Sequence, residues 1–154
     1  DCDMLPLGRI GVKFGQPRQT RFTPDEQKTM LTLWSIFRSP LILGAELPSL
    51  DEATLRLLTN RDVLRLNRHS FGARQIVRDD AHAVWVSQDE DGSRYAALFN
   101  LSEKPREVSL DLRELEGEAF ACRELWSGEE RTAQETLSCV IEPHGARLFH
   151  CTEC

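Results

Sequence analysis

The chain has 154 residues, about one domain or one and a half, and at 40% hydrophobic and 29% charged it has the makeup of a globular protein with a real core. A formal net charge of −6, with Lys and Arg scattered rather than clustered, speaks against a phosphate-neutralising surface and so against a nucleic-acid partner. No apolar run approaches the ~20 residues needed to span a bilayer, and no membrane partner is expected.

The chain opens DCDMLPLGRIG, with no initiator methionine, so its true N-terminus is expected to lie further upstream. Residues i and i+2 of a strand share a face, which places Asp1 and Asp3 close together. A retaining glycosidase holds its two carboxyls about 5–5.5 Å apart. Acid–base work, however, needs two different environments, and neighbours two residues apart share one. A polar rim, or a site that binds a substrate hydroxyl, suits this pair better than catalysis.

RFTPDEQKTMLTLWSIFRSP is the first strong element. Thr23 and Glu26 form a capping box, Pro24 suits the first turn, and Met30, Leu33, Trp34 and Phe37 recur at helical spacing. Leu31 and Ile36 broaden the apolar face, as in a helix packed on a sheet, and Pro40 ends it. PLILG then predicts a strand buried on both faces, as in a parallel sheet. SLDEATLRLLTN predicts a helix capped by Asp51 with Leu55 and Leu58 inward, and RDVLRLN adds further helical turns. Helix and strand alternating in this way mark an α/β architecture.

Near residue 72 the texture changes. RQIVRD, HAVWVS, SRYAALFN, REVSLDL, AFACRELW, TLSCVIE and ARLFHC are seven candidate strands, with QDEDGS a hairpin turn between the second and third. Seven such strands predict an antiparallel β-sandwich over 72–154. Residues 1–71 cannot close a core alone and look like the end of a larger α/β domain.

The five cysteines, Cys2, Cys122, Cys139, Cys151 and Cys154, form no even framework and fit free thiols in a reducing compartment. That points to the bacterial cytoplasm. HCTEC holds one CxxC beside His150, which admits a zinc or redox reading, but its place at the chain's end favours surface thiols. His69, His82, His144 and His150 have no metal-site spacing, and no metal ligand is assigned. GRIG and KFG are too glycine-poor for a phosphate loop. Trp85 and Trp126 suit either a sugar-stacking platform or a sandwich core.

Taken together, DxDML, the helix TPDEQKTMLTLWSIFRSPLILGAEL and the segment LLTNRDVLRLNRHSFG resemble the end of the catalytic barrel in family 27 of the glycoside hydrolases, the α-galactosidases and α-N-acetylgalactosaminidases. ELWSGE and EPHGARLF resemble motifs of that family's C-terminal β-sandwich. The resemblance implies the last βα units of a (β/α)₈ TIM barrel over 1–71, then an antiparallel β-sandwich over 72–154. It implies a retaining exo-glycosidase that removes terminal α-linked galactose without metal or organic cofactor, and it is compatible with a homo-oligomer of the full-length enzyme. Asp3 and Met4 match the family's sugar-pocket aspartate and methionine, and Asp1 matches the acid two residues earlier. Both catalytic aspartates of the family lie on earlier strands, so no catalytic residue is assigned here and the chain alone is expected to be inactive. The chain departs from the family pattern in three places. Arg68, His69 and Ser70 replace Gln-Asp-Pro, Cys2 replaces a frequent proline, and Glu46 replaces a frequent aspartate, which leaves arabinopyranosides and glucans open as substrates. A reading from another class is a free-standing β-sandwich module that binds carbohydrate or protein.

Overall fold

Thr23 opens the first helix by reciprocal capping. Its hydroxyl accepts from the Glu26 amide at 3.3 Å, and the Glu26 carboxylate accepts from the Thr23 amide at 2.7 Å. The computed structural model describes residues 4–13 and 15–154. A two-stranded antiparallel ribbon, β1 (Arg9–Ile10) and β2 (Arg18–Gln19), precedes α1 (Pro24–Ile36). Beyond α1 the backbone enters the left-handed region at Arg38, φ 59°. The Arg38 guanidinium then donates to the carbonyls of Asn67 and Arg68 at 3.1 Å each. It thereby puts a cation on the last turn of α3 (Arg61–His69), the negative end of that helix. Between them lies α2 (Glu52–Leu58), whose Thr54 amide is capped by Asp51 at 2.8 Å.

Two expectations in this region are corrected. PLILG is not a doubly buried strand: Leu43 makes one parallel bridge to Leu5, and Ile42 is 55% exposed. The pairing direction is the expected one. Among the described residues, though, this segment has a neighbour on one side alone, so one edge stays open. Leu55 is 48% exposed rather than inward, because the inner side of α2 runs through Thr54, Leu57 and Leu58.

The remaining strands are β3 (Phe71–Arg78), β4 (His82–Gln88), β5 (Arg94–Asn100), β6 (Arg106–Asp111), β7 (Ala119–Glu124), β8 (Glu130–Gln134), β9 (Thr136–Ile141) and β10 (Ala146–Glu153). All pair antiparallel in the order β3-β4-β5-β10-β7-β8-β9-β6. The sheet folds over until β6 meets β5, and Val84, Leu98, Val108, Leu110, Phe120 and Phe149 fill the space between its halves. This is a β-sandwich with eight strands rather than seven. EERTAQ, the strand sequence reading missed, buries one apolar side chain, Ala133, so it carries no alternating signal.

The outer face of β4, β5 and β10 is covered too. Tyr95, Ala97, Phe99 and Leu148 pack against Leu31 and Ile36 of α1, Val63 and Leu66 of α3, and Leu5 and Leu7. A strand buried on both faces needs a continuous apolar run, and YAALF supplies it. The helical segment and the sheet therefore share one core.

Candidate functional site

Leu5 and Leu43 are adjacent parallel segments joined through α1. The Leu5 amide donates to Ile42 O at 2.8 Å and the Gly44 amide to Leu5 O at 2.9 Å. The residues that follow each segment meet at one end of this pair. Glu46 is the clasp: its amide donates to Arg9 O at 2.8 Å, its carboxylate lies 3.3 Å from the Arg9 guanidinium, and the Ser49 hydroxyl donates to it at 2.5 Å. Gly11, at φ 76°, lets the ribbon turn beside the site; a Cβ there would sit 2.5 Å from Gln16 O, so no other residue fits.

Between these loops is a cavity of about 660 Å³ walled by Met4, Ile10, Leu43 and Leu47, with Lys13 and Glu46 as its charged members. A mostly apolar wall with a few polar groups is how small-ligand sites are built. An apolar surface can take the C–H face of a pyranose while Lys13 donates to, and Glu46 accepts from, its hydroxyls. Among the described residues Glu46 is the carboxylate of the lining, and with Lys13 it can hold a sugar. Of the residues assigned from sequence, Met4 stands in this wall, half exposed. Asp1 and Asp3 lie outside the described residues.

The readings of HCTEC are corrected. Successive strand residues alternate faces, so Cys151 is fully buried in the sandwich core and Cys154 is exposed; they form no CxxC pair, and Cys151 is not a surface thiol. Among the described residues no three His, Cys, Asp or Glu side chains gather at metal distance. The tryptophans are not an open platform either. Trp85 sits 5.7 Å from the Phe37 ring, and Trp126 donates to the Thr32 hydroxyl at 3.0 Å, so both fasten α1 and its C-terminal turn to the sheet.

Two polar centres escaped the sequence reading. The Asp89 carboxylate, buried inside what looked like a plain turn, accepts from Arg65 at 2.9 and 3.1 Å and from the Tyr95 hydroxyl at 2.6 Å. Burial pushes its pKa up, but the Arg65 and Tyr95 hydrogen bonds outweigh that and hold it at about 2. Glu124, in ELWSGE, is buried and accepts from the amides of Trp126, Ser127 and Leu148 at 3.1, 2.6 and 3.3 Å. Both are architectural. An acid followed by aspartates or by SG in a turn was the available signal, and it indicates turn formation without indicating burial.

Residues 79–151 match the family described as the α-galactosidase C-terminal β-sandwich domain. Alpha-galactosidase D of Emericella nidulans is 33% identical over 160 residues, which cover 99% of this chain and 23% of that protein. A GH27 β-L-arabinopyranosidase from Geobacillus stearothermophilus superposes with a TM-score of 0.96 at 46% identity, across 100% of this chain and 37% of that one. The chain belongs to glycoside hydrolase family 27. A Bacillus halodurans protein assigned as an α-N-acetylgalactosaminidase is similar over the same extent, with 35% identity and a TM-score of 0.94 across 37% of its chain. The chain thus spans about a quarter to two-fifths of the length of these relatives. The family 27 likeness covers the segment that builds the cavity as well as the sandwich, since it includes residues ahead of 79.

Proposed function

We propose that this chain is the C-terminal portion of a retaining exo-glycosidase acting on terminal sugars of galactose configuration, α-D-galactosides first. The observation that carries the reading is the Leu5–α1–Leu43 unit. Two parallel segments joined by a helix are the repeating element of a (β/α)₈ barrel, and the cavity lies where the chain leaves both segments, the end at which such barrels place their active sites. On this reading residues 1–71 complete the barrel and 72–154 form the accessory sandwich. Met4, with Asp3 and Asp1 beside it, lines the sugar pocket. The nucleophile and the acid/base belong to barrel strands supplied by the rest of the enzyme.

One observation favours a second substrate. The Geobacillus relative acts on β-L-arabinopyranosides, whose ring has the configuration of an α-D-galactoside without the C6 hydroxymethyl group. The two sugars differ in one substituent, so a single pocket discriminates them through what lies beside C5.

The test compares the 154-residue chain with the full-length gene product on p-nitrophenyl α-D-galactopyranoside and p-nitrophenyl β-L-arabinopyranoside. The full-length protein is expected to hydrolyse at least one and the isolated chain neither. A native product no larger than 17.6 kDa, or turnover by the isolated chain, contradicts the proposal.

A further inference from the structure

Cys122 on β7 and Cys151 on β10 are direct cross-strand partners. The kind of pairing follows from the ladder around them. The Leu125 amide donates to Leu148 O at 2.7 Å and the Cys154 amide to Ala119 O at 3.1 Å, which makes 125/148 and 119/154 hydrogen-bonded positions. Antiparallel pairs alternate, so 122/151 is a non-hydrogen-bonded position, where Cα atoms are about 4.5 Å apart and side chains lie closest. That separation falls within the range of about 4.4–6.8 Å that disulfides span. Both side chains point into the sandwich core, where the Cys122 thiol donates to Phe120 O at 3.8 Å.

We infer that Cys122 and Cys151 are a redox-active pair that closes into a cross-strand disulfide. The chemistry is asymmetric. The neighbouring Cys151 thiol lowers the Cys122 thiol pKa against the opposing effect of burial, and the Arg131 guanidinium adds to the lowering. The neighbouring Cys122 and burial together hold the Cys151 thiol well above its ordinary value. Arg131 lies over the Phe149 ring at 4.8 Å, and its charge also opposes the burial-driven rise of the Cys139 thiol pKa. Cys122 and Cys151 are 2% and 0% exposed in the folded sandwich, so a soluble oxidant reaches them before the sheet closes. With a low-molecular-weight disulfide RSSR as oxidant, Cys122 forms a mixed disulfide and expels RS⁻. Cys151 gives its proton to that thiolate, attacks the Cys122 sulfur and expels the second RS⁻. Two protein thiols are oxidised to one disulfide and RSSR is reduced to two thiols.

The position gives the bond a structural consequence. β10 belongs to the β3-β4-β5 half of the sheet and β7 to the β8-β9-β6 half, and the β10–β7 ladder is where the halves join. A disulfide there pins the join. Among the described residues the rival cysteines lack this geometry: Cys139 faces Val108 across its ladder, and Cys154 is exposed at the other side of the strand.

The test unfolds the protein, refolds it in reduced and oxidised glutathione, alkylates the soluble product and cuts it with trypsin without reduction. Cleavage puts Cys122 in peptide 114–123, Cys139 in 132–147, and Cys151 with Cys154 in 148–154. The expected result is peptide 114–123 linked to 148–154, two hydrogens lighter than the free pair, retained in Cys154→Ser, lost in Cys151→Ala, and released by dithiothreitol. Soluble protein in which Cys122 is alkylated, capped by glutathione or linked to Cys2, Cys139 or Cys154 overturns the inference.

Discussion

The buried carboxylate of Asp89 takes both arms of the Arg65 guanidinium, at 2.9 and 3.1 Å, and so pins α3 to the β4–β5 turn. Arg65 also reaches Asp91 at 2.8 Å, and Tyr95 completes the acceptor shell of Asp89. Replacing Arg65 by Met leaves the buried Asp89 carboxylate with the Tyr95 hydroxyl and Glu90 amide as donors and no cation. Urea unfolding is expected to show a loss of stability as a lowered midpoint. Arg65→Lys recovers part of it, because an ammonium cannot make the bidentate contact.

Asp89 also sets an acid limit. Its folded pKa of about 2 lies below the ordinary 3.8, so the unfolded chain binds the proton first. Its contribution is complete above pH 4 and is lost as pH falls from about 4 towards 2. The wild-type unfolding midpoint is expected to drop through that window, and the drop should be shallower in Asp89→Asn.

His150 acts at higher pH. Burial depresses its pKa below the ordinary 6.5, with the positive Arg123 and Arg65 adding to the effect and Asp91 and Asp89 opposing it. The unfolded chain again binds the proton first, so this contribution is present above about pH 6.5 and declines as the medium acidifies. His150→Gln, keeping a polar group for Ser93, is expected to flatten thermal stability between about pH 7 and 5.

Glu124 organises the turn after β7 through three backbone amides. Truncation to Ala leaves buried donors without an acceptor and is expected to cost about 2–4 kcal/mol in a denaturation series. Glu124→Gln, isosteric but neutral, should lie between. A loss below about 0.5 kcal/mol for the Ala variant would show that water replaces the carboxylate.

Since Trp85 and Trp126 are partly buried against α1 and its C-terminal turn, adding galactose or arabinose to the isolated chain is expected to leave tryptophan emission unchanged. Saturable quenching would restore the free-standing binding module.

What the sequence made legible depended on how local the cause was. The capping box of Thr23 and Glu26 and the cap at Asp51 are set within a few residues, and those helices start there; the Asn60 cap of α3 is equally local but was not read. The strands with apolar alternation were equally visible. β8 was hidden because Ala133 alone faces the core, and Leu55 was placed inward because a two-turn helix fixes its phase poorly. The Asp89–Arg65 pin joins residues 24 apart, and the Cys122–Cys151 pair 29 apart, so neither has a local pattern. The cavity was legible at Met4 through family resemblance, whereas the Arg9–Glu46 clasp that shapes it needed the fold.

The central claim is that this chain completes a retaining glycosidase of galactose-configured sugars. The direct measurement follows hydrolysis of p-nitrophenyl α-D-galactopyranoside by the full-length protein, with proton NMR of the first sugar released, and repeats it with the β-L-arabinopyranoside. The account predicts turnover of at least one substrate, with the initial product keeping the substrate's anomeric configuration before mutarotation. Inverted product, or no turnover of either substrate by folded full-length protein, would contradict it.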